Sequence, residues 1–107
     1  MDMIYSPGAD ILARIERCQG FEWDDGNSSK NLDKHRVTTD ECQEVFATDP
    51  LLKHDFAHSH EEERVCAWGA TTDGRLLAVV FTFRDNLIRV ISARDMSSKE
   101  RQKYGTP

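Results

Sequence analysis

The groups in this chain best able to do chemistry are imidazoles and guanidiniums. His35 stands between Lys34 and Arg36, at the end of the stretch FEWDDGNSSKNLDKHRV that runs from Phe21 to Val37. His54, His58 and His60 fall within seven residues, beside Asp55 and Glu61 to Glu63. Arginines recur through the second half, at Arg64, Arg75, Arg84, Arg89 and Arg94, followed by Lys99, Arg101 and Lys103. Histidine moves protons near neutral pH, and arginine's planar fork donates to pairs of phosphate oxygens. Together these types suit RNA cleavage. A base takes the 2′-hydroxyl proton, the freed oxygen attacks the adjacent phosphorus, and an acid protonates the departing 5′-oxygen. Each proton-transfer role is worth on the order of 10²–10⁴ in rate, and cations offset the charge that builds on the phosphoryl oxygens. The scheme requires no metal and no cofactor. His35 and His58 can serve as acid and base, Arg89 and Arg94 as the electrostatic clamp, and Tyr104 as an orienting or proton-donating hydroxyl. Lys34, Arg64, Arg84, Lys99 and Arg101 are the further candidates for RNA contact.

Each of these residues also has a plainer reading. Cations at a helix C-terminus complement its dipole, which accounts for Lys34 and His35 without any substrate. An arginine on a strand can simply face solvent. The His54–His60 stretch offers imidazoles and carboxylates that could hold zinc, but its spacing matches no metal motif, and a solvated polar loop is the default. Cys18, Cys42 and Cys66 lie on apolar stripes or strands, where a thiol usually packs. Their odd number and lack of metal-finger spacing point to reduced thiols in a cytoplasmic protein. No Gly-x-Ser-x-Gly elbow and no glycine-rich phosphate loop occur.

Charge is distributed unevenly. Residues 1–63 hold 15 acids against 6 Lys/Arg, residues 64–107 hold 4 against 8, and the whole carries a net charge of -5. A basic C-terminal part on an acidic whole is what a phosphate-binding face needs. The 107 residues suffice for one core, so a single domain over 1–107 is expected. No apolar run approaches the roughly 20 residues of a membrane span, and the N-terminus lacks the pattern of a secretory signal.

The elements that must position these groups follow from periodicity. Ser6 can cap a first helix carrying Ile11, Leu12 and Ile15, with Pro7 in its first turn and Gly20 at its exit. Phe21-Glu22-Trp23 reads as extended, and a second helix is expected from Asp24 or Asp25 through His35. Thr38 and Glu41 form a capping box. Cys42, Val45 and Phe46 then mark one face of a third helix, which Asp49-Pro50 ends. The period changes after that. Residues 63–70, 75–83 and 86–93 are rich in β-branched and aromatic types, and the connectors at Thr71–Gly74 and Arg84–Asn86 have turn chemistry. An antiparallel meander is expected, with the apolar run at 75–83 central and Leu51-Leu52 a candidate edge strand. On the third strand, regular alternation groups Arg89 with Ile91 and Ala93. Ser97 and Glu100 open a last helix ending near Tyr104, and 105–107 should fray. The fold expected is α+β: N-terminal helices packed on a three- to four-stranded antiparallel sheet, with a C-terminal helix.

The stretch FEWDDGNSSKNLDKHRVTTDECQEVF resembles the N-terminal signature of the BrnT family, toxins of type II toxin–antitoxin pairs. That signature is F-x-W-D, then K-N-x-x-K-H-x-V, then an acidic helix ending in V-F. The second half agrees in order, through Asp49-Pro50, His58-Ser59, Glu62-Glu63-Arg64, Gly74-Arg75-Leu76-Leu77 and IRVISARDMSSKERQKY. The resemblance covers Phe21 to Tyr104, so residues 1–20 are expected to be an N-terminal helical extension of a BrnT-like domain at 21–104. It implies a RelE-like ribonuclease fold and a ribonuclease that blocks translation. It also implies a BrnA-type antitoxin whose DNA-binding portion represses the operon. On matching positions it singles out Lys34 and His35, His58, Glu63 and Arg64, Arg89 and Arg94, and Tyr104. A homodimer or a toxin–antitoxin hetero-oligomer would be consistent with it. Two departures stand against the family pattern: the extra N-terminal residues, and a net charge unusual for an RNA binder. The rival reading is therefore a non-catalytic domain of the same fold that only binds an antitoxin-like regulator.

Overall fold

Both capping boxes read from the sequence form. Thr38 Oγ1 accepts the Glu41 amide at 3.1 Å, and the Glu41 carboxylate accepts the Thr38 amide at 3.0 Å. The same exchange joins Ser97 and Glu100, at 3.2 and 2.8 Å. These pairs satisfy amides that a helix start leaves without partners, and they fix where two of the helices begin. The computed structural model describes residues 7–28, 35–55 and 62–105, with 7–10 through the backbone alone. Within these residues the order is α1 (Pro7–Arg17), α2 (Thr39–Ala47), β1 (Leu51–His54), β2 (Val65–Ala70), β3 (Leu76–Arg84), β4 (Leu87–Asp95) and α3 (Ser98–Tyr104). The α+β class, the meander and the extra edge strand at Leu51 are as the sequence suggested. The helix expected between Asp24 and His35 falls mostly outside the described residues, as do Ser6, Lys34 and His58. Residues 25–27 form a turn, and Ser28 and His35 are helical.

The four strands pair antiparallel in the order β1-β2-β3-β4. The β3–β4 connection is a two-residue turn with Asp85 and Asn86 at φ 52° and 65°. Positive φ at both positions gives the turn whose twist suits a tight hairpin, and Asp and Asn tolerate that conformation. On the outer side of β4 the extended segment at Phe21 adds a short parallel bridge to Ile88. Gly20 O accepts the Ile88 amide, and the Glu22 amide donates to Ile88 O, both at 2.9 Å. The 21–27 segment is thereby held beside β4.

The main core lies on one face of the sheet, beneath α1 and α2. Ile11 of α1 and Cys42 and Val45 of α2 meet Val65, Leu77, Val79, Phe81 and Val90 of the strands, all buried. Phe46, Phe81 and Phe83 pack edge to face, with ring centres 4.9 and 5.5 Å apart. That arrangement suits the ring quadrupoles. Gly69 lets α2 lie close on β2, because a Cβ there would meet Val45 Cγ1 at 2.9 Å. The opposite face carries a smaller cluster of Trp68, Ala78 and Met96, packed by Tyr104 of α3. The remainder of that second face is not covered by any described helix. Among the described residues, no helix is long and apolar enough to cross a membrane.

Candidate functional site

Cross-strand register decides which side chains share a face. Ala78 belongs to the cluster beneath α3, and it pairs with Trp68 on one side and Arg94 on the other. Thr82, four residues along β3, points the same way and pairs with Arg89. Arg89 and Arg94 therefore stand on one face, opposite α1 and α2. Their odd spacing would place them on opposite faces of a regular strand. A bulge changes the parity: Val80 pairs with Ser92 but Phe81 pairs with Val90, leaving Ile91 unmatched. The alternation expected from the sequence is corrected accordingly. Ala93, which it grouped with Arg89, is fully buried in the main core beside Val90.

Arg84 follows Thr82 by two residues and falls on the same face. Arg64 directly precedes β2, where the Asp55 amide donates to its carbonyl at 2.9 Å. This extends the β1–β2 ladder by one step and gives Arg64 the facing of Cys66. Four of the candidate arginines, Arg64, Arg84, Arg89 and Arg94, are thus brought to one face of the sheet. We call it the open face.

Three of these guanidiniums meet carboxylates of the same chain. Arg89 Nη1 donates to Glu22 Oε1 and Asp24 Oδ2, both at 3.0 Å, and Nη2 reaches Asp24 Oδ1 at 3.3 Å. Arg94 forms a two-pronged pair with Glu100, at 2.7 and 2.9 Å. Arg84 lies 3.5 Å from Glu22 and 3.4 Å from Glu62. Two of these carboxylates, Asp24 and Glu100, are held ionised by their arginines. The hydrogen bond from Arg89 is the chief cause that lowers the Asp24 pKa. The Arg94 fork, aided by the Ser97 amide, brings Glu100 down to about 2. None of these acids was singled out in the sequence as a partner of an arginine. A carboxylate 65 residues away in the chain leaves no local signal of its pairing.

The 21–27 segment that delivers Glu22 and Asp24 is fixed by Asn27, which is only 2% exposed. Its Oδ1 accepts the Asp24 amide at 2.8 Å. Its Nδ2 donates to Glu22 O at 2.9 Å and to Val90 O at 3.0 Å. Asn27 thereby ties the segment to β4.

Other candidates ride on α3, over the same face, or lie elsewhere. Lys99 is exposed on α3. Arg101 donates to Met96 O at 3.1 Å, bracing the start of the same helix. Tyr104 is half-buried against the Trp68 cluster. His35 sits at the end of the sheet, where its carbonyl accepts from Arg75 Nη2 at 3.1 Å. Arg75 also grips Asp95 at 2.8 Å and Glu41 of α2 at 3.2 Å. This network belongs to the core-side rim, so the structure does not bring the described imidazole of His35 among the open-face arginines. His54 Nε2 lies 3.1 Å from Glu63, which Arg14 of α1 also contacts.

Beside the arginines, the open face has a concavity of about 170 Å³ lined by Lys53, His54, Asp55, Cys66, Trp68 and Glu100. Cys66 pairs with Lys53 across β1–β2, which puts both on this face. Burial pushes the Cys66 thiol up to about 11 and Cys42 up to about 12, so neither is a ready nucleophile. Among the described residues, no group of three or more His, Cys, Asp and Glu side chains could hold a metal. His58 and His60 lie outside that set.

A comparison with family models matches residues 23–100 to "Ribonuclease toxin, BrnT, of type II toxin-antitoxin system". Among solved structures, the chain is similar to the Brucella abortus ribonuclease toxin BrnT, known from a 1.1 Å crystal structure. Sequence identity is 25% and the TM-score 0.58, over 74% of this chain and 97% of that one. Among curated proteins, no match was found.

Proposed function

The chain belongs to the BrnT family of ribonuclease toxins of type II toxin–antitoxin systems, and on that premise we propose that it is a metal-independent endoribonuclease that cuts RNA and thereby inhibits translation. The observation that carries this reading is the gathering of Arg64, Arg84, Arg89 and Arg94 on one sheet face, achieved by a bulge between the last two. Guanidinium forks spaced along a strand suit successive phosphates of an extended RNA strand. In this scheme Arg89 and Arg94 are the clamp that offsets charge on the phosphoryl oxygens. Tyr104 closes the α3 side of the face, while Arg64, Arg84, Lys99 and Arg101 hold flanking phosphates. The 2′-oxygen attacks phosphorus, the bond to the 5′-oxygen breaks, and the products are a 2′,3′-cyclic phosphate and a 5′-hydroxyl. His58, and Lys34 with His35, are the candidates for proton transfer and positioning. The partner is a BrnA-type antitoxin with a DNA-binding portion, held in a hetero-oligomer with the toxin.

Growth arrest on expression, relieved by the neighbouring antitoxin gene, is the expected behaviour. Arg89→Ala and Arg94→Ala should each lower RNA cleavage by about 10²–10³-fold, the scale of a lost transition-state donor, and leave the circular dichroism spectrum unchanged. Cleavage should persist in EDTA. Undiminished toxicity in both variants removes these arginines from the site.

One observation favours the rival reading of a non-catalytic, antitoxin-binding domain: the described imidazole of His35 stands apart from the arginines. Purified protein separates the two, because only the nuclease leaves cyclic-phosphate ends on an RNA oligonucleotide.

A further inference from the structure

Building on the ribonuclease reading, we propose that the open face is self-inhibited: Glu22, Asp24 and Glu100 occupy the guanidiniums that would grip phosphate, and RNA binds by exchanging with these carboxylates. The geometry is that of a phosphate contact with a carboxylate in its place. Glu100 presents two oxygens to the two Nη atoms of Arg94, at 2.7 and 2.9 Å. Arg89 is held between two carboxylates through three such contacts. A phosphodiester offers the same paired oxygens and the same single charge. One exchange is therefore close to even, and affinity must come from several made together.

The two clamps differ in how readily they open. The Arg89 side chain is 17% exposed, and its acidic partners ride on the segment that Asn27 ties to β4. The Arg94 side chain is 44% exposed, and Glu100 rides on a seven-residue helix with no fully buried residue. Strand β4 is a fixed element of the sheet, whereas α3 packs on this face through the half-buried Tyr104 against the Trp68 cluster and is braced locally by the Arg101 bond to Met96 O. The Arg94–Glu100 pair exchanges first, and α3 is the part that yields. Its displacement also opens the concavity that Glu100 lines with Trp68 and Lys53.

A salt signature follows. An arginine that trades an internal carboxylate for a phosphate frees a charge that gathers a counterion of its own. The release of condensed ions that normally drives binding is then partly cancelled. Wild-type protein should show a shallow dependence of affinity on salt, and a freed arginine should steepen it by about 0.7 in the log–log slope for a single strand.

Two substitutions isolate the charge. Glu100→Gln keeps an oxygen for the Ser97 amide, since glutamine also completes a capping box. Asp24→Asn keeps an acceptor for the Gly26 amide, now at 2.9 Å. Glu16→Gln is the control, an exposed acid of α1 on the far side of the sheet. The measurement is fluorescence anisotropy of a 2′-O-methyl RNA oligonucleotide, which cannot be cleaved, over a range of salt. Glu100→Gln and Asp24→Asn should each tighten binding about two- to five-fold, the scale of one exposed ion pair, and steepen the slope, with Glu16→Gln unchanged. Equal or weaker binding by both variants, or equal tightening by Glu16→Gln, overturns the self-inhibition and leaves the ribonuclease reading standing if the wild type cleaves RNA. Binding by the variants alone supports it. No binding by any of the proteins overturns both.

Discussion

Strand β3 presents Leu77, Val79 and Phe81 to one side and Ala78, Val80 and Thr82 to the other, and the two sides serve different ends. The first row is fully buried under α1 and α2. The second shares its face with Arg89, Arg94 and Arg84, each matched by carboxylates from outside the sheet. Apolar burial of roughly 25 cal/mol per Å² is where the free energy of a small domain comes from, while exposed ion pairs contribute little. The contrast teaches that the site can change charge at small cost to the fold, because the fold is secured on the other face.

The sharpest way to break that contrast is to attack the core face. Phe81 is fully buried, with Phe46 and Phe83 packed edge-on against its ring. Phe81→Ala should cost about 3–5 kcal/mol, read by urea denaturation. That is a large part of the 5–15 kcal/mol typical of a domain. A loss under about 1 kcal/mol would mean that stability is not concentrated where burial places it.

Much of this division was legible in the sequence and part was not. Capping boxes, the change of period after Pro50 and the turn at Asp85-Asn86 are local signals, and each located an element. The bulge at Ile91 has no such mark. Regular alternation therefore set Arg89 with Ala93, when Arg89 belongs with Arg94. Long-range pairing was equally hidden: Asp24 looks like any helix-start or turn acid until β4 brings Arg89 beside it. The residues with clear local grammar built the scaffold. Those that make the candidate site depend on register, which is a property of two strands at once.

Asn27 joins the two faces, and its loss should sharpen the comparison. Its amide satisfies Glu22 O and Val90 O while its carbonyl holds the Asp24 amide. Asn27→Ala leaves those buried backbone groups to find water, at about 1–3 kcal/mol. The 21–27 segment should then loosen from β4, and its amides should exchange hydrogen faster than those of β3. Unchanged protection in residues 21–27 would show that the bridge at Phe21 suffices without the asparagine.

The smallest effect separates the faces by pH. Glu100 is held at about 2 by the Arg94 fork, against the usual 4.5. A carboxyl whose pKa is lower folded than unfolded stabilises the fold fully above its unfolded value, and that contribution fades as pH falls toward the folded one. Arg94 is nearly half exposed, so solvent screens the pair and its contribution is about 0.5–1 kcal/mol. Wild type should exceed Glu100→Gln by that margin in urea denaturation at pH 7. The gap should close between about pH 4.5 and pH 2 as the carboxyl protonates and comes to resemble the amide. The Phe81→Ala deficit involves no titrating group, so it should keep its size across the same range wherever both proteins still fold. If the Glu100→Gln gap holds steady in acid, the clamp stabilises through packing of α3 and not through charge.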